Sequence, residues 1–245
     1  MLVTVDMDRN VIMTLRSFES RGIKGFYEEN CEKAKVKISN LISQDAVVGI
    51  GDSATVRHTG IIETLKRRGT KVLDGFYRGI PWALHNKLVK ESTLCDVFLT
   101  GTNAVTRDGR LVNVDGAGGR VAGMFHGHSM SIIVVGRNKL VENLDEAFHR
   151  VRNLIAPNHV RIRSVELGGC RVDTPCAATG KCNDCRSKDR KCNIFTIIEG
   201  KPLRTSINVI IINEDLGLAW DESWPKERIS RIIEEYKRYV WIRRC

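Results

Sequence analysis

The sequence lacks the features that mark several common protein classes. No hydrophobic run approaches the ~18 apolar residues of a membrane-spanning helix, so we expect no membrane association. The opening residues MLVTVDMDRN contain no basic segment followed by an apolar one, so we expect no secretory signal. These two absences favour a cytoplasmic protein whose cysteines are kept reduced.

Aromatic residues are also scarce, with 7 Phe, 4 Trp and 4 Tyr in 245 residues. The formal net charge of +10 and the isoelectric point near 9.3 raise the question of nucleic-acid binding. The basic residues are interleaved with acidic ones along the whole chain, however, and no run alternates them with aromatic side chains as a base-stacking surface requires. We therefore expect no nucleic-acid partner and interpret the charge as solvated surface that also attracts anionic ligands.

Neither common nucleotide-binding glycine motif occurs, since no segment fits G-x-x-x-x-G-K-[ST] or G-x-G-x-x-G. A different glycine loop, GIGDSAT, closes a predicted strand and opens a helix. Its backbone N–H groups would form either an anion site or an ordinary capped turn. If the loop binds a ligand, the candidate residues are Gly49, Gly51, Asp52, Ser53 and Thr55.

A second loop, NVDGAGGR, combines small residues with opposite charges. Its glycines would let a ligand approach the backbone, with Asp115 and Arg120 beside it. Asn103 follows a predicted strand and would reach the same carboxyl edge of the sheet, where open α/β sheets place their sites. The HGH segment has no third metal ligand adjacent to it, so we favour ligand contact or a structural role for its histidines. The candidate ligand-binding residues here are Asn103, Asp115, Gly118, Gly119, Arg120 and His126.

Four cysteines in one polar segment are the most informative feature that is present. Cys176, Cys182, Cys185 and Cys192 follow the spacing C-x5-C-x2-C-x6-C, and the turn-forming residues between them leave little apolar material for packing. Cys170 precedes them and could replace one of the four. A thiolate-bound metal centre would hold such a segment, whereas a pair of disulfides is not favoured in a reducing compartment.

Zinc and an iron–sulfur cluster are the two competing centres. All-cysteine zinc sites usually contain two C-x2-C pairs, but Cys182 and Cys185 form the single pair here, and no histidine follows His159 to complete a mixed site. A [4Fe–4S] cluster is larger than a single ion and accepts ligands from unequal arms. Arg and Lys outnumber the acids around the segment, which also favours thiolates. We therefore favour a [4Fe–4S] cluster and keep zinc as the alternative.

Apolar segments alternate with helical patterns along the chain. AVVGIG, KVLDGF, DVFLTG, SIIVVG and INVIIINED indicate buried strands, and the D-G pair at 108–109 predicts a hairpin. GFYEENCEKAKVKISNLI predicts a helix with Cys31 packed on its apolar face. The pattern implies one α/β domain over residues 1–245, with a mainly parallel sheet covered by helices. Within it we expect N-terminal helices at 7–42 and a metal-binding loop at 170–192.

The segments GIGDSATVRHTG, DVFLTGTNAVTRDGRLVNVDGAGGRVAGMFHGH, SIIVVGRNKLVENLDEAFHRVRN and INVIIINEDLGL lie within residues 29–218. Together they resemble the LUD-domain proteins, also called the lactate-utilisation or DUF162 family. The resemblance implies a fold related to ribose-5-phosphate isomerase, glucosamine-6-phosphate deaminase and CoA transferases, in which the loop after the first strand binds an anion. It also implies an iron–sulfur oxidoreductase partner, because members linked to lactate oxidation act beside such subunits. The cysteine segment is a departure, since the smaller members usually lack it.

Three functions follow from these observations. The first is an iron–sulfur protein with a redox or accessory role in lactate or organic-acid metabolism, whose glycine loops bind a small anionic ligand. The second is a stand-alone dehydratase or isomerase in which an iron without a cysteine ligand acts as a Lewis acid on a small carboxylate or phosphate. The third is a zinc-stapled ligand-binding module. We favour the first, as an electron carrier, because four cysteines would fill the cluster; the sequence leaves a homo-oligomer open.

Overall fold

The computed structural model of the protein describes residues 8–244. Within them, ten strands form two sheets. The strands are β1 (Lys24–Glu28), β2 (Val47–Ile50), β3 (Lys71–Leu73), β4 (Val97–Gly101), β5 (Ala104–Thr106), β6 (Leu111–Asp115), β7 (Met130–Gly136), β8 (Leu140–Val141), β9 (Ile194–Ile198) and β10 (Ser206–Ile212). The helices are α1 (Arg9–Ser20), α2 (Cys31–Leu41), α3 (Ala54–His58), α4 (Ile61–Arg67), α5 (Trp82–Glu91), α6 (Gly119–Ala122), α7 (Leu144–Arg150), α8 (Ala156–Arg161), α9 (Pro175–Thr179) and α10 (Lys226–Tyr239).

The main sheet has six parallel strands in the order β1-β10-β7-β4-β2-β3. A smaller sheet follows the order β8-β5-β6-β9. Its centre is the hairpin predicted from the D-G pair, in which Val105 lies opposite Leu111 in antiparallel register. The predicted α/β class with a mainly parallel sheet is therefore confirmed.

Successive side chains of the central strands enter two different apolar clusters. On one face of the main sheet, Ile132 packs with side chains from α2, α3 and α4, including Ile38 and Ile62. On the other face, Ile133 packs with Phe18 of α1 and with residues of the smaller sheet. Burial on both faces explains why these strands are continuous apolar runs rather than alternating ones. The second face is thus covered by α1 and the smaller sheet, and the first face by helices.

The predicted N-terminal helices at 7–42 are correct only in part. Residue 7 lies outside the described residues, and α1 and α2 occupy two parts of the interval. The prediction that a helix already runs through Tyr27 is wrong, because Lys24–Glu28 forms β1 and pairs in parallel with β10. The helix begins at Cys31, after Asn30 accepts a hydrogen bond from the Lys33 amide as its N-cap.

One long helical stretch carries two local widenings. α7 runs into a π-helical turn at Val151–Ile155, continues as α8, and ends in a second π-helical turn at Ile162–Glu166. Such turns re-aim the side chains on either side of them and often occur at functional sites. Here they flank α8, which contributes to the wall of the main cavity described below. No helix in the described part of the chain is long and apolar enough to cross a membrane.

Candidate functional site

A cavity of about 450 Å³, which we call the main cavity, lies at the carboxyl edge of the main sheet. The segments that follow β2, β4, β7 and β10 contribute to its wall, as do α8, α10 and the C-terminal residues 240–243. Parallel strands deliver their following loops to one edge, so residues far apart in sequence meet there. The size is within the range of small-molecule sites.

The structure brings together seven of the eleven candidate ligand-binding residues. Those lining the main cavity are Asp52, Ser53, Thr55, Asn103, Asp115, Gly119 and Arg120. The other four, Gly49, Gly51, Gly118 and His126, are not among its lining residues. Whether the seven bind a ligand stays a prediction.

The two glycines in and after β2 serve close packing. A Cβ atom on Gly49 would lie 2.2 Å from the Ser92 carbonyl oxygen, and one on Gly51 would lie 2.5 Å from Thr100 Oγ1. Gly118 has φ of 88°, a left-handed conformation that the turn before α6 requires. His126 is exposed and follows that short helix. These positions shape the loops around the cavity without facing it.

Arg120 is the centre of a hydrogen-bond network beneath the cavity. Its guanidinium donates to Asn113 Oδ1 at 2.8 Å and Asn103 Oδ1 at 3.0 Å, and to the carbonyl oxygens of Gly101 at 3.1 Å and Val114 at 2.7 Å. Burial lowers its pKa, but a guanidinium remains protonated in proteins. The result is a fixed positive charge that joins the loops after β4 and β6.

Asp115 is occupied by the backbone around it. Its carboxylate accepts hydrogen bonds from the amides of Ala117 at 3.0 Å, Gly118 at 2.9 Å and Val121 at 3.3 Å, and its Oδ2 lies 3.8 Å from Arg120 Nε. The carboxylate therefore caps the turn and α6, in the manner of an N-terminal helix cap. Little of its charge is left to repel an anion in the cavity.

Lys139 is a buried cation that the sequence analysis missed. Its Nζ donates to Thr55 Oγ1 and to the Thr102 carbonyl oxygen, each at 2.9 Å. Burial, with a smaller contribution from Arg120, lowers the pKa of Lys139 to about 7. An amine that is partly neutral near pH 7 can accept or donate a proton, and a bound anion would favour its charged form. The signal in the sequence is slight, since it consists only of a lysine three residues after a buried strand.

His159 and Tyr236 form a second buried polar group in the wall. His159 Nδ1 lies 2.5 Å from the Tyr236 hydroxyl, and Arg163 Nη1 donates to His159 Nε2 at 3.0 Å. The Nε2 atom that accepts from Arg163 cannot carry a proton, so Nδ1–H donates to the tyrosine oxygen. Burial, reinforced by Arg163, holds the pKa of His159 well below its usual value, so the ring is neutral. Arg163 also pairs with Asp52 at 3.4 Å.

An aromatic ladder borders the cavity on another side. The rings of Trp82 and His85 stack with centroids 4.7 Å apart, and those of His85 and Trp241 stack at 4.8 Å. Arg243 covers the outer face of Trp82 at 3.5 Å, and Arg163 lies 5.1 Å from the Trp241 ring. These cation–π and stacking contacts fasten the C-terminal residues to α5 beside the cavity. The isolated histidine and tryptophans offered no such signal in the sequence.

The four-cysteine segment packs against the loop after β6. The Asn193 amide donates to the Asp115 carbonyl oxygen at 3.1 Å, and the Asn193 side chain donates to the Gly116 carbonyl oxygen at 3.3 Å. Lys191, the neighbour of Cys192, lines the main cavity. The segment therefore lies at the rim of the cavity rather than apart from it.

The donor chemistry of the segment fits a thiolate-bound centre. Cys176, Cys182, Cys185 and Cys192 are all free and half-buried, and Arg190 donates to the Cys192 carbonyl oxygen at 3.2 Å. Cys170, which the sequence allows as a substitute ligand, is disulfide-bonded and lines the cavity instead. The ligand set stays a prediction.

Comparison with known proteins defines the family. A search among curated proteins finds no match. The chain is similar in structure to a DUF162 family protein from Deinococcus radiodurans, with 15% identity, a TM-score of 0.39, and 82% of this chain and 98% of that one covered. It is also similar to ribose 5-phosphate isomerase A from Neisseria gonorrhoeae, with 16% identity, a TM-score of 0.31, and coverage of 56% and 64%. The family model of the LUD domain matches residues 12–212. The resemblance inferred from the sequence motifs is thereby confirmed, and the chain belongs to the LUD-domain family.

Proposed function

We propose that this LUD-domain protein binds a small organic anion in the main cavity and a [4Fe–4S] cluster in the adjacent cysteine segment. Its role would be that of a redox or accessory protein in organic-acid metabolism of the lactate-utilisation type. The observation that carries the proposal is the contact between the cysteine segment and the cationic wall of the cavity, through Lys191, Asn193 and Asp115.

The charge of the wall supports an anionic ligand. Five basic side chains line the cavity against two carboxylates. Both carboxylates are already engaged, Asp115 by backbone amides and Asp52 by Arg163. Lys139 and Arg120 are buried beside the cavity and donate to neutral oxygens. A carboxylate or phosphate entering the cavity would therefore meet a wall in which basic side chains outnumber carboxylates.

The cysteine segment supports the cluster. Cys176, Cys182, Cys185 and Cys192 would hold it, and when bound it would supply a one-electron carrier. The single C-x2-C pair and the unequal arms on either side of it suit a cluster better than one zinc ion, because all-cysteine zinc sites usually contain two such pairs.

The placement of the cysteines also favours the carrier over a cluster-dependent dehydratase or isomerase. Substrate chemistry at iron requires an open coordination position that faces the substrate. None of the four cysteines is among the described residues that line the main cavity. The segment reaches the cavity through Lys191, a geometry suited to electron exchange between neighbouring sites. An iron–sulfur oxidoreductase partner and a cytoplasmic location belong to the same proposal.

The cluster is tested by anaerobic purification and chemical analysis. We expect about four iron and four sulfide per chain, a broad visible absorption, and an EPR signal after reduction. Replacing any of the four cysteines with serine should lower the iron content, whereas Cys95→Ala, a free and buried cysteine elsewhere, should not. Purified protein with zinc and no visible absorption would contradict the proposal.

The anion is tested separately by thermal denaturation with lactate, phosphate or CoA. A ligand at 100 times its dissociation constant adds about 2.7 kcal/mol to the free energy of unfolding and raises the melting temperature. Lys139→Met should weaken this effect, and Lys226→Met, at an exposed position, should not. If none of these anions stabilises the protein, the ligand half of the proposal is wrong even if the cluster is present.

A further inference from the structure

A second group of metal-ligand side chains lies outside the main cavity. A ligand atom from each of Cys31, His58 and Glu214 lies within 4.8 Å of the other two, and all three side chains are half-buried. Cys31 opens α2 after β1, His58 closes α3 after β2, and Glu214 follows β10. The main sheet thus brings them together at its carboxyl edge. None of the three lines the main cavity.

We propose that Cys31, His58 and Glu214 form a binding site for a divalent ion of the zinc type, distinct from the cysteine segment. Thiolate, imidazole and carboxylate are the three side-chain groups that bind zinc, and three protein ligands leave a fourth position for water. Tetrahedral bonds of the usual length place ligand atoms roughly 3.3–3.6 Å apart. The distance from Cys31 Sγ to Glu214 Oε2 is already 3.5 Å. The imidazole of His58 needs to approach by at most about 1.5 Å.

Contacts with neighbouring groups hold two of these ligands in place. Glu214 Oε1 accepts a hydrogen bond from the Cys31 amide at 2.9 Å, which directs Oε2 towards the sulfur. His58 stacks on Tyr239 of α10, with ring centroids 4.2 Å apart and an angle of 16° between the planes. Within residues 8–244 neither ring nitrogen of His58 has a hydrogen-bond partner, so a lone pair is available. Orientation of ligands by such contacts is typical of metal sites.

Packing alone accounts less well for the group. Cys31 does contact the apolar cluster on its face of the sheet, as the sequence predicts, but this does not explain why an imidazole and a carboxylate converge on its sulfur. Three different ligand types in one half-buried cluster are the defining feature of the site.

The experiment uses Co²⁺ as a spectroscopic probe in the full chain with Cys176, Cys182, Cys185 and Cys192 replaced by serine, so that the segment cannot bind the ion. We expect a thiolate-to-cobalt charge-transfer band and an intense visible spectrum typical of four-coordinate Co²⁺. Cys31→Ser should abolish the charge-transfer band. His58→Ala should weaken binding by at least about tenfold. His149→Ala, which removes an exposed histidine, should leave the spectrum unchanged.

A second measurement uses the unaltered protein and does not depend on that variant folding. Zn²⁺ should slow the alkylation of Cys31 by iodoacetamide, followed by mass spectrometry of its peptide, and Glu214→Gln should reduce this protection. Cys95, which is buried elsewhere in the fold, should remain unmodified with and without the ion, which shows that the protein stays folded during the assay. A cobalt spectrum without a thiolate band, a spectrum unchanged by His58→Ala, or alkylation of Cys31 that Zn²⁺ does not slow would each overturn the proposal.

Discussion

Replacing Lys139 with methionine should change how the stability of the protein depends on pH. Burial, with the nearby charge of Arg120, lowers the pKa of Lys139 from the usual 10.5 to about 7 in the folded protein. In the unfolded chain the amine keeps its usual pKa. Between about pH 7 and pH 10.5 the unfolded state therefore binds one more proton than the folded state, so the contribution of Lys139 to stability increases with pH.

The size of this effect follows from proton linkage. One extra proton in the unfolded state changes the free energy of unfolding by at most about 1.4 kcal/mol per pH unit. With pKa values of about 7 and 10.5, integration from pH 7 to pH 9 yields roughly 2 kcal/mol. Methionine does not titrate, and it leaves the Thr102 carbonyl oxygen without its donor at a cost of about 1–3 kcal/mol at every pH. The loss of the hydrogen bond in the variant therefore changes the free energy of unfolding by the same amount at every pH. The titration of the lysine adds a contribution that increases with pH.

The assay is urea unfolding followed by circular dichroism at a series of pH values. Both proteins carry serine at the four cysteines of the segment, so that a bound centre does not disturb two-state unfolding. The free energy of unfolding of the Lys139 protein, minus that of the methionine variant, should rise by roughly 2 kcal/mol from pH 7 to pH 9. Lys226→Met, on the exposed face of α10, should show no such trend. If the difference in the free energy of unfolding between the Lys139 protein and the Lys139→Met variant is also independent of pH, the lowered pKa of Lys139 is refuted.

Two further predictions concern packing and acid stability. Gly49→Ala should destabilise the protein by about 1–3 kcal/mol, because its Cβ would lie 2.2 Å from the Ser92 carbonyl oxygen. Gly119→Ala should be tolerated, since its Cβ would meet its nearest neighbour at 3.4 Å; melting temperatures of the two variants test the contrast. Burial holds the pKa of His159 well below 6.5, so as the pH falls the unfolded state takes up the proton first and stability is lost below about pH 6.5. His159→Gln should remove this loss, which comparison of melting temperatures at pH 5 and pH 7 would show, whereas an unchanged acid response would contradict it.

The strands of the main sheet were largely predictable because their burial on both faces produces apolar runs bounded by glycine and polar residues. SIIVVG and INVIIINED correspond to β7 and β10. The edge strand β1 was not predictable in this way. Its residues KGFYE are only partly buried, and Phe26 and Tyr27 suit a strand or the start of an amphipathic helix equally well. Pairing with the edge of β10 decides between them, and that contact spans about 180 residues of sequence.

The sequence places the glycine loops at the carboxyl edge of the sheet, as the structure does. It does not identify most of the titratable side chains that line the main cavity. A loop that follows a parallel strand must emerge at that edge, so Asp52 and Asn103 could be placed from strand order alone. Lys139 also follows such a strand, yet a lysine there is normally solvated. It can be buried because Thr55, 84 positions earlier, and the Thr102 carbonyl oxygen supply acceptors inside the fold. The same holds for His159, whose partner Tyr236 lies 77 positions later. Burial of a charged or titratable side chain depends on partners from several elements, and no local pattern in one segment can encode it.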